Sequence, residues 1–233
     1  MSLLSEELAD EPDYTLRTIP TQKCIIARMP FSLALLAGGR STRMGLNKCT
    51  MELAGQTLIR HILVQLQPRA AEAFIIADDP EPYHDLSLPV IPDAVPGLGP
   101  LGGLATALGH AAQDHVLVTA CDMPFVCLPL IERMLVHADQ ADAVLPRFRG
   151  EVEPLRAVYN RVCLAPVRQA LGRGERRMIS FLPEVHVRYL EEEEIGELDP
   201  EHLTFFNINT PADLARAEKL APFRRGDESR GRQ

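Results

Sequence analysis

The chain has 233 residues, of which 46% are hydrophobic and 24% charged, and its formal net charge is −8. This length fits one large α/β domain or two small ones, and the composition is that of a globular protein with a sizeable core. Nucleic acids and anionic membranes bind concentrated positive charge, so the negative balance argues against both as partners.

Residues 1–30 are predicted to form an N-terminal extension with partial order at most. They are acidic, interrupted by prolines, and do not have the basic-then-apolar order of a secretion signal. No apolar stretch reaches the length of a membrane span. The five cysteines are scattered and form no CxxC pair, which argues against a disulfide framework and against a structural zinc site. A reducing cytoplasm is the expected compartment.

Strand and helix patterns alternate over residues 31–222, which we predict to be one domain, and residues 223–233 are predicted to be a disordered tail. In chain order, the predicted strands are FSLALL, AFIIA, LPVIP, HVLVTA, DAVLP, EPLRAVYN and VHVRYL. The predicted helices are QTLIRHILVQLQ, GGLATALGHAA, LPLIERMLVHA, RVCLAPVRQAL and NINTPADLARAEKL. In the last of these, Thr210 is the expected N-cap, Pro211 the first helical residue and Asp213 the capping acid.

This alternation predicts an α/β fold built on a mostly parallel sheet. In such sheets, ligands bind beyond the carboxyl ends of the strands, where the loops gather. The rule selects three loops as candidate binding segments, at residues 37–48, 92–101 and 120–124.

The first loop, within LAGGRSTRMGLNK, combines glycines with cations. Gly38 and Gly39 leave the backbone open to a base or phosphate, and Arg40, Arg43 and Lys48 follow. Backbone N–H groups and a lysine together form a phosphate cradle. The alternative is a strand-to-helix turn with solvated arginines. The spacing excludes a P-loop, which needs Lys-Ser or Lys-Thr directly after the second of its two glycines.

The second loop contains GLGPLG, residues 97–102, which matches the dinucleotide pattern G-x-G-x-x-G. That fingerprint belongs in the first strand-to-helix turn, whereas this copy lies in the third loop. Pro100 also removes one N–H from the cradle. A pliable loop that closes over a substrate is the favoured interpretation.

The third loop places Asp122 one residue beyond the apolar strand HVLVTA. A lone aspartate there is often a turn residue or a helix cap. Together with a phosphate loop it suggests Mg²⁺, which is usually held by one or two carboxylates and the substrate phosphates. Asp93, after the third strand, is expected to reach the same region.

Two charged runs remain. The run EEEE, residues 191–194, is interpreted as a solvated edge. The run GRGERRM, residues 172–178, is either a solvated helix junction or a second anion site.

The combination of motifs resembles the nucleotidyltransferases typified by molybdenum cofactor guanylyltransferase. LAGGRSTRMGLNK, GPLGGL, ACDMP, EPLRAVYN, GERRM and NINTP follow in that family's order, over residues 32–220. The resemblance implies a Rossmann-like three-layer sandwich that transfers GMP from Mg-GTP to the phosphate of molybdopterin and releases pyrophosphate. It also implies Mg²⁺ as cofactor, with other cofactor-assembly proteins and client molybdoenzymes as further candidate partners.

The resemblance also implies roles for individual residues. By match to the family's motifs, Asp122 would hold Mg²⁺ and Lys48 would contact the phosphates. The chemistry of the reaction adds Arg43, which with Lys48 would offset phosphate charge, and these three are the predicted catalytic residues. The predicted nucleotide contacts are Leu36, Ala37, Gly38, Gly39, Lys48, Asp93 and Asp122. The predicted pterin-side residues are Arg156, Arg176, Arg177, Asn207 and Asn209.

The chain departs from the family pattern at two positions. Asn47 stands where the family usually has an acid, and Ala77 stands where a side-chain contact to the nucleotide is expected. Three alternatives therefore stay open: a cytidylyltransferase on the same cofactor, a sugar-1-phosphate nucleotidyltransferase, and a GTP-binding carrier without catalysis. The cytidylyl enzyme tends to carry LAAG where this chain has LAGG, and a carrier would not need Asp122.

Overall fold

The computed structural model describes residues 29–38, 48–95 and 97–225. The strands are β1 (Phe31–Leu36), β2 (Glu52–Leu53), β3 (Gln56–Thr57), β4 (Glu72–Ile76), β5 (Val90–Ile91), β6 (His115–Ala120), β7 (Ala143–Phe148), β8 (Glu151–Val152), β9 (Arg156–Asn160) and β10 (Val187–Leu190). The helices are α1 (Leu58–Leu66), α2 (Gly99–His110), α3 (Leu128–Ala138), α4 (Leu164–Gly172), α5 (Glu192–Leu198) and α6 (Pro211–Arg225).

The main sheet has the strand order β10-β7-β9-β6-β1-β4-β5, with β8 paired to β7. Strand β1 lies between β4 and β6 and runs parallel to both. Strand β9 runs antiparallel to β6 and β7, and β8 antiparallel to β7. All six residues of β1 are buried, which explains why FSLALL is apolar nearly throughout: a strand covered on both faces needs no polar face.

Helices cover both faces of the sheet and complete a three-layer sandwich. On one face, α1, α3 and α5 pack over alternate strand residues such as Leu33, Leu35 and Leu117. On the other face, α2 and α4 pack over Ala34 and Val118 and their neighbours. The predicted α/β fold class with a mostly parallel central sheet is confirmed. Among the described residues, none of the helices is long and apolar enough to cross a bilayer.

Most predicted elements are present, with two differences of substance. Helix α2 begins at Gly99, three residues before the predicted start. Three of the four residues of the EEEE run are exposed, as the solvated-edge interpretation predicts, but residues 192–194 also form the first turn of α5, where acids interact favourably with the positive end of the helix dipole. Helix α6 continues to Arg225, past the predicted domain end at residue 222.

Glu194 links α5 to the neighbouring elements. Its carboxylate accepts hydrogen bonds from Arg133 on α3 at 2.9 Å and from Arg188 on β10 at 2.8 Å. Burial alone would raise the pKa of Glu194, but these two arginines outweigh burial, and the net pKa lies below the usual value. A carboxyl group whose pKa is lower in the folded state than in the unfolded state stabilises the fold at pH values above the unfolded-state pKa. This stabilisation is lost as the pH falls through the folded-state pKa.

Glu194→Gln is therefore expected to lower the free energy of unfolding by about 1 kcal/mol at pH 7. The difference from wild type should shrink as the pH falls below 4.5, because both arginines then face a neutral group in either protein. Urea unfolding at pH 7 and pH 3 measures this. The control is Glu193→Gln, whose side chain is exposed. An equal loss in both variants, or a loss independent of pH, would contradict the prediction.

Candidate active site

The candidate site lies where the strand order reverses. The chain passes from β1 to β4 on one side and later returns to β6 on the other side of β1. Leu36 and Ala120, the last residues of β1 and β6, are register partners, so the loops that follow them start side by side. This crevice is where open α/β sheets bind ligands.

Three side chains from distant parts of the sequence meet at this crevice. The Lys48 Nζ atom lies 3.8 Å from Asp122 Oδ2 and donates a 2.5 Å hydrogen bond to Asn209 Oδ1. The side chains of Lys48 and Asp122 are each 24% exposed, so both are shielded yet open to solvent. We call Lys48, Asp122 and Asn209 the site cluster.

Local structure places each member of the site cluster. Asp122 starts the turn after β6, and its carbonyl accepts a 2.9 Å hydrogen bond from the Ile208 N–H, which joins the loop before α6 to this turn. That loop ends in the predicted capping box. Asp213 Oδ2 accepts from the Thr210 N–H at 2.9 Å, and the Asp213 N–H donates to Thr210 Oγ1 at 3.1 Å. Asn209 is thus held next to a fixed helix start.

The Asp122 carboxylate has the features of a cation ligand. Burial raises its pKa, whereas the charge of Lys48 and that of Arg156 favour the ionised form. Among the described residues, no group of three or more His, Cys, Asp or Glu side chains is arranged to hold a metal. One carboxylate facing a crevice fits Mg²⁺, which takes most of its remaining ligands from phosphates and water.

Arg156 lies behind the cluster. Its side chain is completely buried, and its Nη2 atom donates to the carbonyl of Met123 in the turn that carries Asp122. Nε and Nη1 are buried and have no hydrogen-bond partner within the described part of the chain. Burial lowers the pKa of Arg156 to about 10, although Glu153 and Asp122 oppose this shift. Arg156 was predicted on the pterin side; its position instead lets it support the turn from the interior.

Arg156→Met is expected to destabilise the fold by about 3–5 kcal/mol, because the buried Glu153 carboxylate loses a nearby cation and the Met123 carbonyl loses its donor. Thermal or urea unfolding measures the loss. The Glu153→Gln/Arg156→Met double variant should regain part of it, since it removes both charges. If the single variant unfolds within about 1 kcal/mol of wild type, Arg156 does not support this turn.

A second carboxylate lies after β5. Asp93 Oδ1 is buried without a hydrogen-bond partner among the described residues, and the Asp93 N–H donates to Asp78 Oδ1 at 3.3 Å. Burial, followed by the charge of Asp78, raises the pKa of Asp93. Thr106 Oγ1 accepts from the Ala94 N–H and fixes the loop on α2. An orphaned acceptor of this kind suits a ligand that brings hydroxyl or N–H donors.

Residues 33–187 match a family model described as a MobA-like NTP transferase domain. The chain belongs to this family. It is an enzyme of the nucleotidyltransferase class, and such enzymes generally use a divalent metal ion.

Named relatives extend the match. A probable molybdenum cofactor guanylyltransferase from Pelotomaculum thermopropionicum is 38% identical over 187 residues, covering 80% of this chain and 91% of the relative. The molybdenum cofactor guanylyltransferase of Vibrio cholerae is 31% identical over 211 residues, covering 89% and 99%. The crystal structure of molybdopterin-guanine dinucleotide biosynthesis protein A from Archaeoglobus fulgidus matches with a TM-score of 0.72 at 31% identity, covering 82% and 99%.

The glycine loop of this nucleotidyltransferase is described only in part. Leu36 ends β1, the Ala37 N–H donates to the Ile76 carbonyl at 3.0 Å, and Gly38 follows at the mouth of the crevice. Gly39 and Arg43, both predicted site residues, lie outside the described residues. Lys48 and Asp122, the other two predicted catalytic residues, are described, and the structure brings their side chains together.

The GLGPLG segment has a structural explanation in this enzyme. Gly97 and Gly99 adopt positive φ angles of 82° and 66°, which favour glycine. A Cβ at Gly102 would lie 2.7 Å from the Leu98 Cβ, so the first turn of α2 admits only glycine there. These glycines shape the entry into α2, and residues 99–102 form the first turn of this helix, whereas the favoured interpretation was a pliable loop.

The GERRM segment follows α4, which comes after the antiparallel strand β9. Arg176 and Arg177 follow α4 and are exposed, and Arg176 Nη1 donates to the Glu175 carbonyl at 2.7 Å. Asn207, half-buried, precedes the Ile208 contact.

The cysteines were predicted to form no disulfide framework, yet two of them are bonded. Cys49 and Cys121 form a disulfide with their Cα atoms 5.2 Å apart and 72 residues apart in sequence. Sequence reasoning missed this pair because neither spacing nor local pattern reveals that the residue after Lys48 meets the residue before Asp122. Their proximity follows only from the tertiary fold of the crevice.

Proposed function

We propose that this enzyme transfers GMP from GTP to the terminal phosphate of molybdopterin-bound molybdenum cofactor and releases pyrophosphate. The observation that carries the proposal is the meeting of Lys48, Asp122 and Asn209 at the strand-order switch point. The activity for which the similar proteins are named supports the same reaction.

In the proposed reaction, an oxygen of the acceptor phosphate forms a bond to the α-phosphorus of GTP. The bond between that phosphorus and the β-phosphate bridging oxygen breaks, and its electrons leave with pyrophosphate. No covalent enzyme intermediate is needed, so the protein's work is positioning and charge neutralisation.

Each residue of the site cluster has a task in this reaction. The Lys48 ammonium neutralises charge that builds up on the leaving pyrophosphate, and Asn209 Oδ1 orients that ammonium through its 2.5 Å hydrogen bond. Asp122 would hold Mg²⁺, which would supply Lewis-acid neutralisation of the phosphates. Arg43, outside the described residues, remains a proposed second cation for the β and γ phosphates.

The nucleoside is proposed to lie along the loops after β1, β4 and β5. The backbone at Ala37, Gly38 and Gly39 would approach the nucleotide, and Leu36 would contact it beside Gly103. Asp93 would accept hydrogen bonds from nucleoside donors through its unpartnered Oδ1. Ala77 is buried and offers no polar side chain at the end of β4, so base selection would fall to its neighbours.

The acceptor is proposed to enter between the loop before α6 and the GERRM segment. Arg176 and Arg177 are exposed cations and suit a phosphorylated ligand. Asn207 and Asn209 flank Ile208, whose N–H is bonded to the Asp122 carbonyl, so an acceptor bound there would lie beside the site cluster.

The test is incubation with Mg²⁺, molybdopterin-bound cofactor and each nucleoside triphosphate separately, with pyrophosphate as the readout. We expect pyrophosphate release with GTP only. Release with CTP but not GTP would identify a cytidylyltransferase, and release only with a sugar 1-phosphate as acceptor would identify the sugar nucleotide enzyme. GTP binding without turnover would identify a carrier.

A further inference from the structure

The Cys49–Cys121 disulfide directly adjoins two members of the site cluster. Cys49 follows Lys48, and Cys121 precedes Asp122. The Cα separation of 5.2 Å lies within the usual range for disulfides. Both cysteines are buried in the larger core cluster, at 2% and 5% exposure, beneath the crevice. The bridge therefore lies directly under the Lys48–Asp122 ion pair.

The bridge joins two segments that differ greatly in their other support. Asp122 follows a six-residue buried strand and is fixed by the Ile208 hydrogen bond. Lys48 opens a three-residue 3-10 turn in which only Cys49 is buried. Among the described residues, Lys48 donates to Asn209 Oδ1 and its carbonyl accepts from the Met51 N–H. A covalent bond one residue away restricts this short turn more than it restricts the longer, buried strand β6.

We propose that the Cys49–Cys121 disulfide is a positioning element that keeps Lys48 within reach of Asp122, and that its reduction by a dithiol slows catalysis. This inference rests on the proposed function. In the reductive step, one thiolate of the dithiol attacks a bridge sulfur and forms a mixed disulfide. The second thiolate then closes the reagent into its own disulfide. The protein gains two electrons and two protons and is left with two thiols.

The chemistry of the cysteines makes this step selective and reversible. The other two described cysteines, Cys127 and Cys163, are both buried. Burial raises the pKa of the Cys163 thiol to about 12, so it contributes almost no thiolate for exchange at neutral pH. Disulfides in a reducing compartment, which is the one expected for this chain, are usually transient or redox-sensing. Because the bridge sulfurs are buried, exchange requires the Cys49 turn to open, and slow reduction is expected under native conditions.

The first measurement maps the bridge. The protein is equilibrated with oxidised glutathione, denatured, alkylated and digested. We expect a Cys49–Cys121 linked peptide and alkylation of Cys24, Cys127 and Cys163 only. After treatment with dithiothreitol under native conditions, all five should be alkylated. Absence of the linked peptide after oxidation would overturn the proposal.

The second measurement compares the oxidised and reduced proteins in the GTP-dependent pyrophosphate assay, at a temperature well below both melting temperatures. Reduction should lower kcat per GTP-binding site by about tenfold or more, because small displacements of catalytic groups are costly. It should also raise the Mg²⁺ concentration for half-maximal rate. If the bridge had only a structural role, its reduction would lower the number of GTP-binding sites but would leave kcat per site and the Mg²⁺ concentration for half-maximal rate unchanged. Reoxidation should restore them.

Matched variants separate the bridge from general thiol effects. Cys49→Ser and Cys121→Ser should resemble the reduced protein and stop responding to dithiothreitol. Cys163→Ser, far from the crevice and able to keep the hydrogen bond to the Asp142 carbonyl, should respond like wild type. Equal kcat in the oxidised and reduced proteins would overturn the positioning role alone. Absence of turnover in both redox states would contradict the proposed function and the positioning role together.

Discussion

Asp122→Asn should lower the rate of pyrophosphate release by about a thousandfold while the protein still folds and binds some GTP. Asparagine keeps the size of the side chain and its acceptor oxygen but removes the negative charge that would hold a divalent cation beside the phosphates. Removing a carboxylate next to Lys48 also leaves the ammonium without its acidic neighbour at 3.8 Å. Steady-state kinetics at saturating Mg²⁺ measure the rate of pyrophosphate release, and circular dichroism shows whether the variant folds.

Asp85→Asn is the matched control for this experiment. Asp85 is an exposed carboxylate whose partner is Arg60, on α1, so this substitution should leave the rate unchanged. If Asp122→Asn retains normal activity, Asp122 has no place in the mechanism. If it loses GTP binding altogether, Asp122 serves to bind the nucleotide and not mainly to stabilise the transition state.

Lys48→Met should lower kcat/KM for GTP by about a hundredfold. Methionine preserves much of the aliphatic length of lysine but cannot neutralise phosphate charge or donate to Asn209 Oδ1. Because negative charge on the β-phosphate grows as the bond to the α-phosphorus breaks, the loss should fall on kcat more than on KM. Initial rates over a range of GTP concentrations separate the two parameters.

Lys219→Met is the corresponding control. Lys219 is exposed on α6, outside the site cluster, and its removal changes the net charge by the same amount. Activity of Lys48→Met within about threefold of this control would mean that Lys48 contributes less than about 1 kcal/mol to the barrier and is only a surface contact.

The fold was largely predictable because its signals are local. Buried runs such as FSLALL and HVLVTA gave the central strands, 3.6-residue spacing gave α1 and α3, and the Thr210 capping box gave the start of α6. The rule on strand ends then brought Asp122 and the loop containing Lys48 to one crevice. These inferences need only the hydrophobic pattern and capping residues of each segment and the handedness of the connections between segments.

The remaining features depend on which distant residues meet, and no local pattern encodes that. The Cys49–Cys121 bridge spans 72 positions. Arg156 was predicted as a pterin-side residue, and the sequence alone did not show that the antiparallel pairing of β9 with β6 places it opposite Thr119 and buries its side chain. Glu194 belonged to a run that looked solvated, yet two arginines from different elements converge on it. In each case tertiary packing decided the role.

The position of bond cleavage in GTP tests the proposed chemistry of this crevice. The enzyme is incubated with Mg²⁺, molybdopterin-bound cofactor and GTP carrying a radioactive label on either the α- or the γ-phosphate. We expect the α label to appear in the cofactor product and the γ label to appear in pyrophosphate, in equal amounts. Transfer of the γ label to the acceptor, or its release as single phosphate while the α label stays in GDP, would contradict nucleotidyl transfer by Lys48 and Asp122.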